Sequence, residues 1–299
     1  MASFLSSLFV GLRVGSVYAL IALGYTMVYG IIRMINFAHG DFIMVGGYTL
    51  VFTMPVIADK LGLPVWTGVV CAVVVCAAVG ILTELIAYRP VRKKGTGMTA
   101  LITAIGMSLI LENLAQAIPA IGPNPKIPQK IFSSGSVTLA GVSVDAVTIY
   151  TVVISAFVML LLTLFVKKTS LGRAMRAVSE NKKASILVGI NVDKTILTTF
   201  AIGSGLAAVA ALMYIAQYPK VYTTMGSSLG LKAFVAAVLG GIGSLPGAMI
   251  GGLVIGLVES AAIALNMSSL ADTFVFLILI AVLLIKPTGI LGKNEREKV

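Results

Sequence analysis

The chain has 299 residues, 58% of them hydrophobic and only 11% charged, yet it carries a formal net charge of +11. A water-soluble fold of this length would need a charged exterior, whereas here runs of about twenty residues pass without a charge, the length a helix needs to cross a bilayer. Soluble readings are excluded. Nucleic-acid binding is excluded with them, because no loop is long enough to fold into a domain that presents a basic patch.

The first apolar segment lacks a basic start, runs past the apolar core of a signal peptide and leads straight into further apolar sequence, so it reads as the first span. The runs are continuous rather than alternating and exceed the roughly ten residues of a barrel strand. An all-α, polytopic membrane protein follows, a single transmembrane domain over 1–299. Helices are expected at about 4–32, 41–58, 63–88, 98–120, 144–166, 195–216, 226–242, 247–267 and 271–286. The run Gly240-Gly-Ile-Gly-Ser-Leu-Pro-Gly247 interrupts the later part. Eight crossings with a re-entrant piece therefore fit as well as nine.

Lys and Arg set the orientation, because positive loops stay in the cytoplasm. Three segments, Arg89 to Lys94, Lys167 to Lys194 and the tail from Lys286, hold 15 of the 22 basic residues. All three are expected inside. The connection from Ile121 to Ser143 is poor in Lys and Arg and is expected outside; three crossings before Arg89 would place the N-terminus outside too, a count that a break near Asn36 would upset. Cys71 and Cys76, five residues apart, project about 140° apart around a helix and read as small buried hydrophobes rather than a pair or a metal site.

The first conspicuous feature is a break in apolar sequence: Arg33-Met-Ile-Asn36-Phe-Ala-His39-Gly40-Asp41, followed by Phe42-Ile-Met-Val-Gly46-Gly47. Polar groups at membrane depth are costly and mark solute paths or relays. A discontinuous helix exposes backbone amides and carbonyls that can meet a solute's charged ends, and the glycines permit close helix approach. Asn36, His39, Gly40, Asp41, Gly46 and Gly47 are candidate path residues. The competing reading is an ordinary turn in which Asp41 caps the next helix. His39 is the only histidine, so no histidine-based metal site is expected, and a structural hydrogen bond suits it better than a proton relay.

A looser echo of this region lies near Gly243 and Gly247, where Leu245-Pro-Gly247 also precedes a glycine-rich apolar helix. It suggests a two-repeat architecture and adds Gly243 and Gly247 to the path candidates. Arg13, Glu84, Glu112, Glu259 and Asp272 also fall at membrane depth. Each is expected to find a structural partner: Glu84 with Arg89, and Glu112 within a polar face shared with Asn113 and Gln116.

The second feature is the basic loop of about 167–194, which includes Ser170-Leu-Gly-Arg173-Ala-Met-Arg176-Ala-Val-Ser-Glu180-Asn181-Lys-Lys-Ala184 and ends near Gly189. Ser170 can cap a short helix and Gly189 can end one. Its mixed apolar and charged faces suit docking against a membrane surface or a groove on another protein; a solvated loop that merely sets topology is the alternative.

Glu-Asn-x-x-Ala with a glycine five residues on resembles the coupling loop of bacterial ABC importer permeases. Gly15-Ser16-x-Tyr18-Ala-Leu, Asn36-Phe-Ala-His39-Gly40-x-Phe-x-Met44-x-Gly46-Gly-Tyr48, Gly240-Gly-x-Gly243-x-x-x-Gly247 and Lys286-Pro-x-Gly289-x-Leu-Gly292 together resemble the high-affinity branched-chain amino-acid permeases of the Liv type, over nearly the whole chain. That resemblance implies a subunit of an ABC importer for leucine, isoleucine and valine in the bacterial inner membrane. It would pair with a second related permease, two cytoplasmic ATPases and a periplasmic binding protein. Arg173, Arg176, Glu180, Asn181, Ala184 and Gly189 would then engage an ATPase. The chain contains no Gly-x-x-x-x-Gly-Lys-Ser/Thr phosphate loop, so it is expected to be no enzyme and to bind no cofactor, ATP and Mg²⁺ being used by the partners. The same fold serves permeases for urea and short amides, and other amino acids are further candidate cargoes. An ion-coupled secondary transporter, which would use the intramembrane acids directly, is the reading from another class. An intramembrane enzyme lacks any Ser/His/Asp or His-Glu-x-x-His constellation.

Overall fold

The computed structural model describes residues 2–64, 66–132, 135–139 and 142–292. Eight helices in it are long and apolar enough to cross a membrane: α1 (Ala2–Ile32), α2 (His39–Lys60), α3 (Trp66–Lys93), α4 (Gly97–Ala117), α5 (Ala146–Lys168), α8 (Val192–Gln217), α10 (Leu245–Ala264) and α11 (Ser268–Ile285). Between them lie α6 (Ser170–Glu180), α7 (Lys182–Leu187) and a shorter apolar helix, α9 (Met225–Gly240). This is the count of eight spans and one shorter piece, in a multi-pass helical membrane protein. The stretch before α5 adds an antiparallel hairpin, β1 (Ser136–Leu139) on β2 (Val142–Asp145), with Val137 opposite Val144. Helical periodicity gives no hint of it, since each strand is only four residues long.

The residues form two compact units. One comprises Met27–Ser133 and Leu161–Leu231. Its centre is α8, whose most apolar window is 72% buried, packed with α2 and α3. Small residues make that packing close: a Cβ on Gly46 would sit 2.9 Å from the Ala208 Cα, and one on Gly80 would meet the Ser204 side chain. Close backbone contact gains dispersion energy that apolar lipid cannot otherwise supply. By contrast α4 has only 17% of its window buried.

Two turns of π-helix interrupt this unit, Val56–Lys60 at the end of α2 and Glu84–Tyr88 within α3. Pro90 follows the second. Proline lacks an N–H and its ring crowds the carbonyl four residues back, so a wider turn before it relieves the clash. The π-turn places Glu84 and Tyr88 side by side, both buried to within 1%.

The other unit comprises Met1–Thr26, Ser134–Leu160 and Lys232–Val299. There α1 lies against α10 through Gly15, Gly252 and Gly256, where an added Cβ would strike backbone at 2.8 Å or less. Tyr18 Oη donates to Glu259 Oε2 at 2.7 Å, and Lys232 Nζ reaches Glu259 Oε1 at 2.9 Å and Asp272 Oδ1 at 2.8 Å. Arg13 donates to Thr148 Oγ1 at 3.1 Å. These are the structural partners expected for ionisable groups at membrane depth.

The run from Gly240 to Gly247 is a tight turn between α9 and α10. Gly241 and Gly243 have φ of +103° and +93°, and Ser244 Oγ accepts from Gly247 N at 3.2 Å to cap α10. A Cβ on Gly247 would fall 2.3 Å from the Gly240 carbonyl oxygen, and one on Gly241 would fall 2.3 Å from Gly292 N. These glycines hold a turn against the C-terminal segment. Lys293, Arg296 and Lys298 of the basic tail lie outside the described residues.

Candidate functional site

The polar break between α1 and α2 is buried. Arg33 ends α1 with φ of +59°, its N–H donating to Tyr29 O at 2.7 Å, so the chain leaves the helix through a left-handed residue. Such a conformation is uncommon outside glycine. The chain then turns through Asn36, whose carbonyl accepts from His39 N at 3.1 Å, and α2 begins. Asn36, His39 and Asp41 are exposed by only 2%, 0% and 1%.

The chain does turn here, but Asp41 is not the cap that the turn reading expects. The N-cap of α2 is Ala38, which has no side-chain cap, while Asp41 lies inside the first turn and accepts from Ser108 Oγ of α4 through Oδ2 at 2.5 Å. A solvated turn would leave these groups in water. Here Tyr88 Oη of α3 donates to Asn36 Oδ1 at 2.7 Å, and the Tyr88 ring packs on Phe200 of α8 with centroids 5.3 Å apart. His39 meets the edge of Phe42 at 5.8 Å, and the Cys76 thiol reaches the Phe42 carbonyl at 3.3 Å. Cys76 is buried as expected, but Cys71 is exposed, which corrects the reading of both as buried hydrophobes: the two thiols face apart, and only one faces the protein interior.

Two polar atoms at the break are unspent. Asn36 Nδ2 and Asp41 Oδ1 are buried and have no hydrogen-bond partner among the described residues. Each such atom costs about 1–3 kcal/mol in an ordinary interior. Functional sites are where that cost is tolerated.

A second helix start completes the geometry. At the beginning of α9, a Cβ on Gly226 would lie 2.6 Å from the Gly40 carbonyl oxygen, and one on Gly40 would lie 2.3 Å from the Gly226 carbonyl oxygen. The N-terminal turns of α2 and α9 therefore touch through bare backbone. Each helix start carries partial positive charge from its aligned peptide dipoles. Of the remaining path candidates, Gly46 serves the α2–α8 contact, and Gly47 faces Val221, 3.1 Å from where its Cβ would be. Gly243 and Gly247 belong to the other unit and form the turn described above. Gly226, Ser108 and Tyr88 were not among the sequence candidates.

One end of this unit gathers basic groups. Asp193, in the first turn of α8, is held by Arg89 at 2.8 Å, Arg92 at 3.0 Å and Lys93 at 3.7 Å, and Arg92 also holds Glu84 at 2.7 Å. The partner of Glu84 is thus Arg92, not Arg89: the π-turn rotates Glu84 toward the later arginine, and Arg89 goes to α8. Lys182 Nζ donates to Ile32 O at 3.3 Å, joining α7 to the end of α1. Burial, followed by the Arg92 and Arg33 charges, pushes the Lys182 ammonium below its ordinary range.

The basic loop folds as two helices, not one. Thr169, rather than Ser170, caps α6 by accepting from Gly172 N at 3.0 Å. Asn181 ends α6 and caps α7, accepting from Ala184 N at 3.0 Å. Gly189 then takes φ of +82°, and Asn191 caps α8. Arg173 donates to Lys168 O and Arg176 to Val166 O, so both satisfy carbonyls at the end of α5. Glu180, Asn181, Ala184 and Gly189 are exposed. Beside them stands an apolar tip: Ile186, Leu187 and Val188 are 61%, 87% and 75% exposed. Ile186 and Leu187 belong to the apolar side of the mixed face expected of this loop, and Val188 extends it.

The family model for the permease component of the branched-chain amino acid transport system matches residues 7–283. The high-affinity branched-chain amino acid transport system permease protein BraD of Pseudomonas aeruginosa is 44% identical over 99% of this chain and 98% of its own length. LivH of Escherichia coli K12, of the same description, is 43% identical over the same shares. A probable branched-chain amino acid transport permease protein LivH from Methanocaldococcus jannaschii is 31% identical over 93% of this chain and 89% of its own. The eight membrane-length helices agree with these similarities, and the chain belongs to the family of branched-chain amino acid transport system permease components.

Proposed function

We propose that this chain is the transmembrane subunit of an ABC importer that carries leucine, isoleucine and valine across the bacterial inner membrane. A second related permease, two cytoplasmic ATPases and a periplasmic binding protein would complete the complex, with ATP and Mg²⁺ used by the ATPases alone. The observation that carries the reading is the buried break, where two helix starts meet and Asn36 and Asp41 keep unpartnered polar atoms. The similarity to BraD and LivH supports the cargo.

A branched-chain amino acid has an apolar body and two opposite charges. Helix starts suit its carboxylate and buried side-chain acceptors suit its ammonium group, as in transporters built around discontinuous helices. Near the break the rings of Phe42, Tyr88 and Phe200 are fully buried, an apolar setting that suits the side chain. On this reading the Arg89 to Lys94 and 167–194 segments face the cytoplasm, in keeping with the positive-inside rule. The exposed α6–α7 surface would engage an ATPase. Its motion would pass through Lys182 and Asp193 to the ends of α1, α3 and α8, rocking these helices around a fixed site.

Uptake of labelled leucine and labelled urea by the complex reconstituted with its partners tests the assignment. Leucine transport that requires ATP is expected. Urea transport without leucine transport would overturn the cargo, and uptake driven by an ion gradient without ATP would overturn the class.

A further inference from the structure

The break is continued along α4 by a polar row. Ser108, Glu112 and Gln116 recur every four residues, which places them one above another on a helix face. Ser108 is tied to Asp41. Glu112, one turn further, is part-buried, interacts electrostatically with the Asp41 carboxylate, and forms no ion pair among the described residues. Gln116 is exposed. The row runs from the break toward the end of α4 remote from the Arg89 to Lys94 segment.

A carboxylate at this depth demands either a partner or water, because lipid can supply neither. Asp41 and Glu112 add two acceptors in one neighbourhood, with a single hydroxyl between them and one buried oxygen, Asp41 Oδ1, unspent. Such a pair is complementary to a cation with several N–H donors. A primary ammonium group has three donors and no acceptor.

We infer that Ser108, Glu112 and Gln116 line the solute path on the outer side of the break, and that Glu112 receives the ammonium group of the incoming amino acid and hands it to Asp41. This rests on the solute-path reading of the break and adds which side chains take which end of the solute. Ile110, which projects from the other side of α4 and is 52% exposed, is left to lipid or to a neighbouring subunit.

The test uses the complete complex with Cys71→Ser to remove the exposed thiol, Cys76 being fully buried. Glu112→Cys is expected to react from outside with a membrane-impermeant cationic thiosulfonate at least tenfold faster than with its anionic counterpart, while Ile110→Cys stays inert. Glu112→Gln is expected to lower labelled leucine uptake at least tenfold while stimulation of ATP hydrolysis by the loaded binding protein stays within twofold, and Glu112→Asp to restore much of the uptake. A Glu112→Cys as inert as Ile110→Cys, or uptake by Glu112→Gln within twofold of the parent, would overturn the inference. If the parent complex carries no leucine while Glu112→Cys still shows the cation preference, the cargo assignment fails and the path does not.

Discussion

Gly40 and Gly226 are held so close that neither could carry a side chain: each would place a Cβ within 2.6 Å of the other's carbonyl oxygen. The contact joins two helix starts, so its loss alters the site rather than a generic seam. Gly40→Ala and Gly226→Ala are expected to insert normally but to cut leucine uptake at least tenfold. Gly106→Ala, where a Cβ meets nothing within 4 Å, should behave as the parent. Normal uptake by both alanine variants at the break would remove the convergence of α2 and α9 from the mechanism.

Tyr88→Phe deletes one hydroxyl and leaves Asn36 Oδ1 without its donor in a site 2% exposed or less. An unsatisfied buried acceptor costs about 1–3 kcal/mol. The midpoint of thermal unfolding in detergent should fall by several degrees, with uptake reduced further than that loss of folded protein explains. An unchanged midpoint and unchanged uptake would show that Tyr88 does not hold the break.

These two positions show what was legible in the sequence. The spans were, because twenty uncharged residues have few other fates, and the break was, because Asn36, His39 and Asp41 interrupt such a run. Their partners were not. Tyr88 and Ser108 are 52 and 67 residues from the groups they bind, and tyrosine and serine are unremarkable in a membrane helix. Gly226 was hidden among 31 glycines, since only three-dimensional proximity distinguishes a contact glycine from a loose one. Glu84 was assigned to the wrong arginine because regular helical spacing does not anticipate a π-turn.

In the other unit, Lys232 bridges Glu259 and Asp272, with the Lys232 and Glu259 side chains only 19% and 16% exposed. Lys232→Met would strand Glu259, and breaking such a pair from one side costs about 3–5 kcal/mol. Asp272 is 63% exposed and should add little. Chemical or thermal denaturation should show Lys232→Met strongly destabilised and Lys232→Met with Glu259→Gln largely recovered. Equal stability of the single and double variants would mean that Glu259 is satisfied by Tyr18 alone.

Lys182 offers a pH-dependent signature. Its folded-state pKa is lowered from 10.5, chiefly by burial and then by Arg92 and Arg33. A lowered base binds fewer protons folded than unfolded, so its charge opposes folding at low pH and that opposition fades as pH rises through the folded value toward 10.5. The stability of the parent relative to Lys182→Met should therefore increase with pH across that alkaline window. Unfolding midpoints recorded in detergent at several pH values give the comparison. A difference that shrinks with rising pH would show that the Ile32 carbonyl, not burial, governs this lysine.

The exposed tip of α7 makes the sharpest demand on the coupling proposal. Leu187 is 87% exposed and touches little, so Leu187→Glu should leave the fold and membrane insertion intact. If the tip seats in an ATPase groove, a charge there is desolvated without a partner and docking weakens. Leucine uptake should fall at least tenfold, and the ATPases should copurify poorly. Gly189→Val tests the same joint from the backbone, because φ of +82° is unfavourable for a β-branched residue and α7 would tilt relative to α8. Hydrolysis that continues without uptake is its expected signature. If both variants transport normally, force enters this subunit elsewhere, and the cluster of Arg92 and Asp193 near Lys182 at the start of α7 is a structural clamp rather than a transmission.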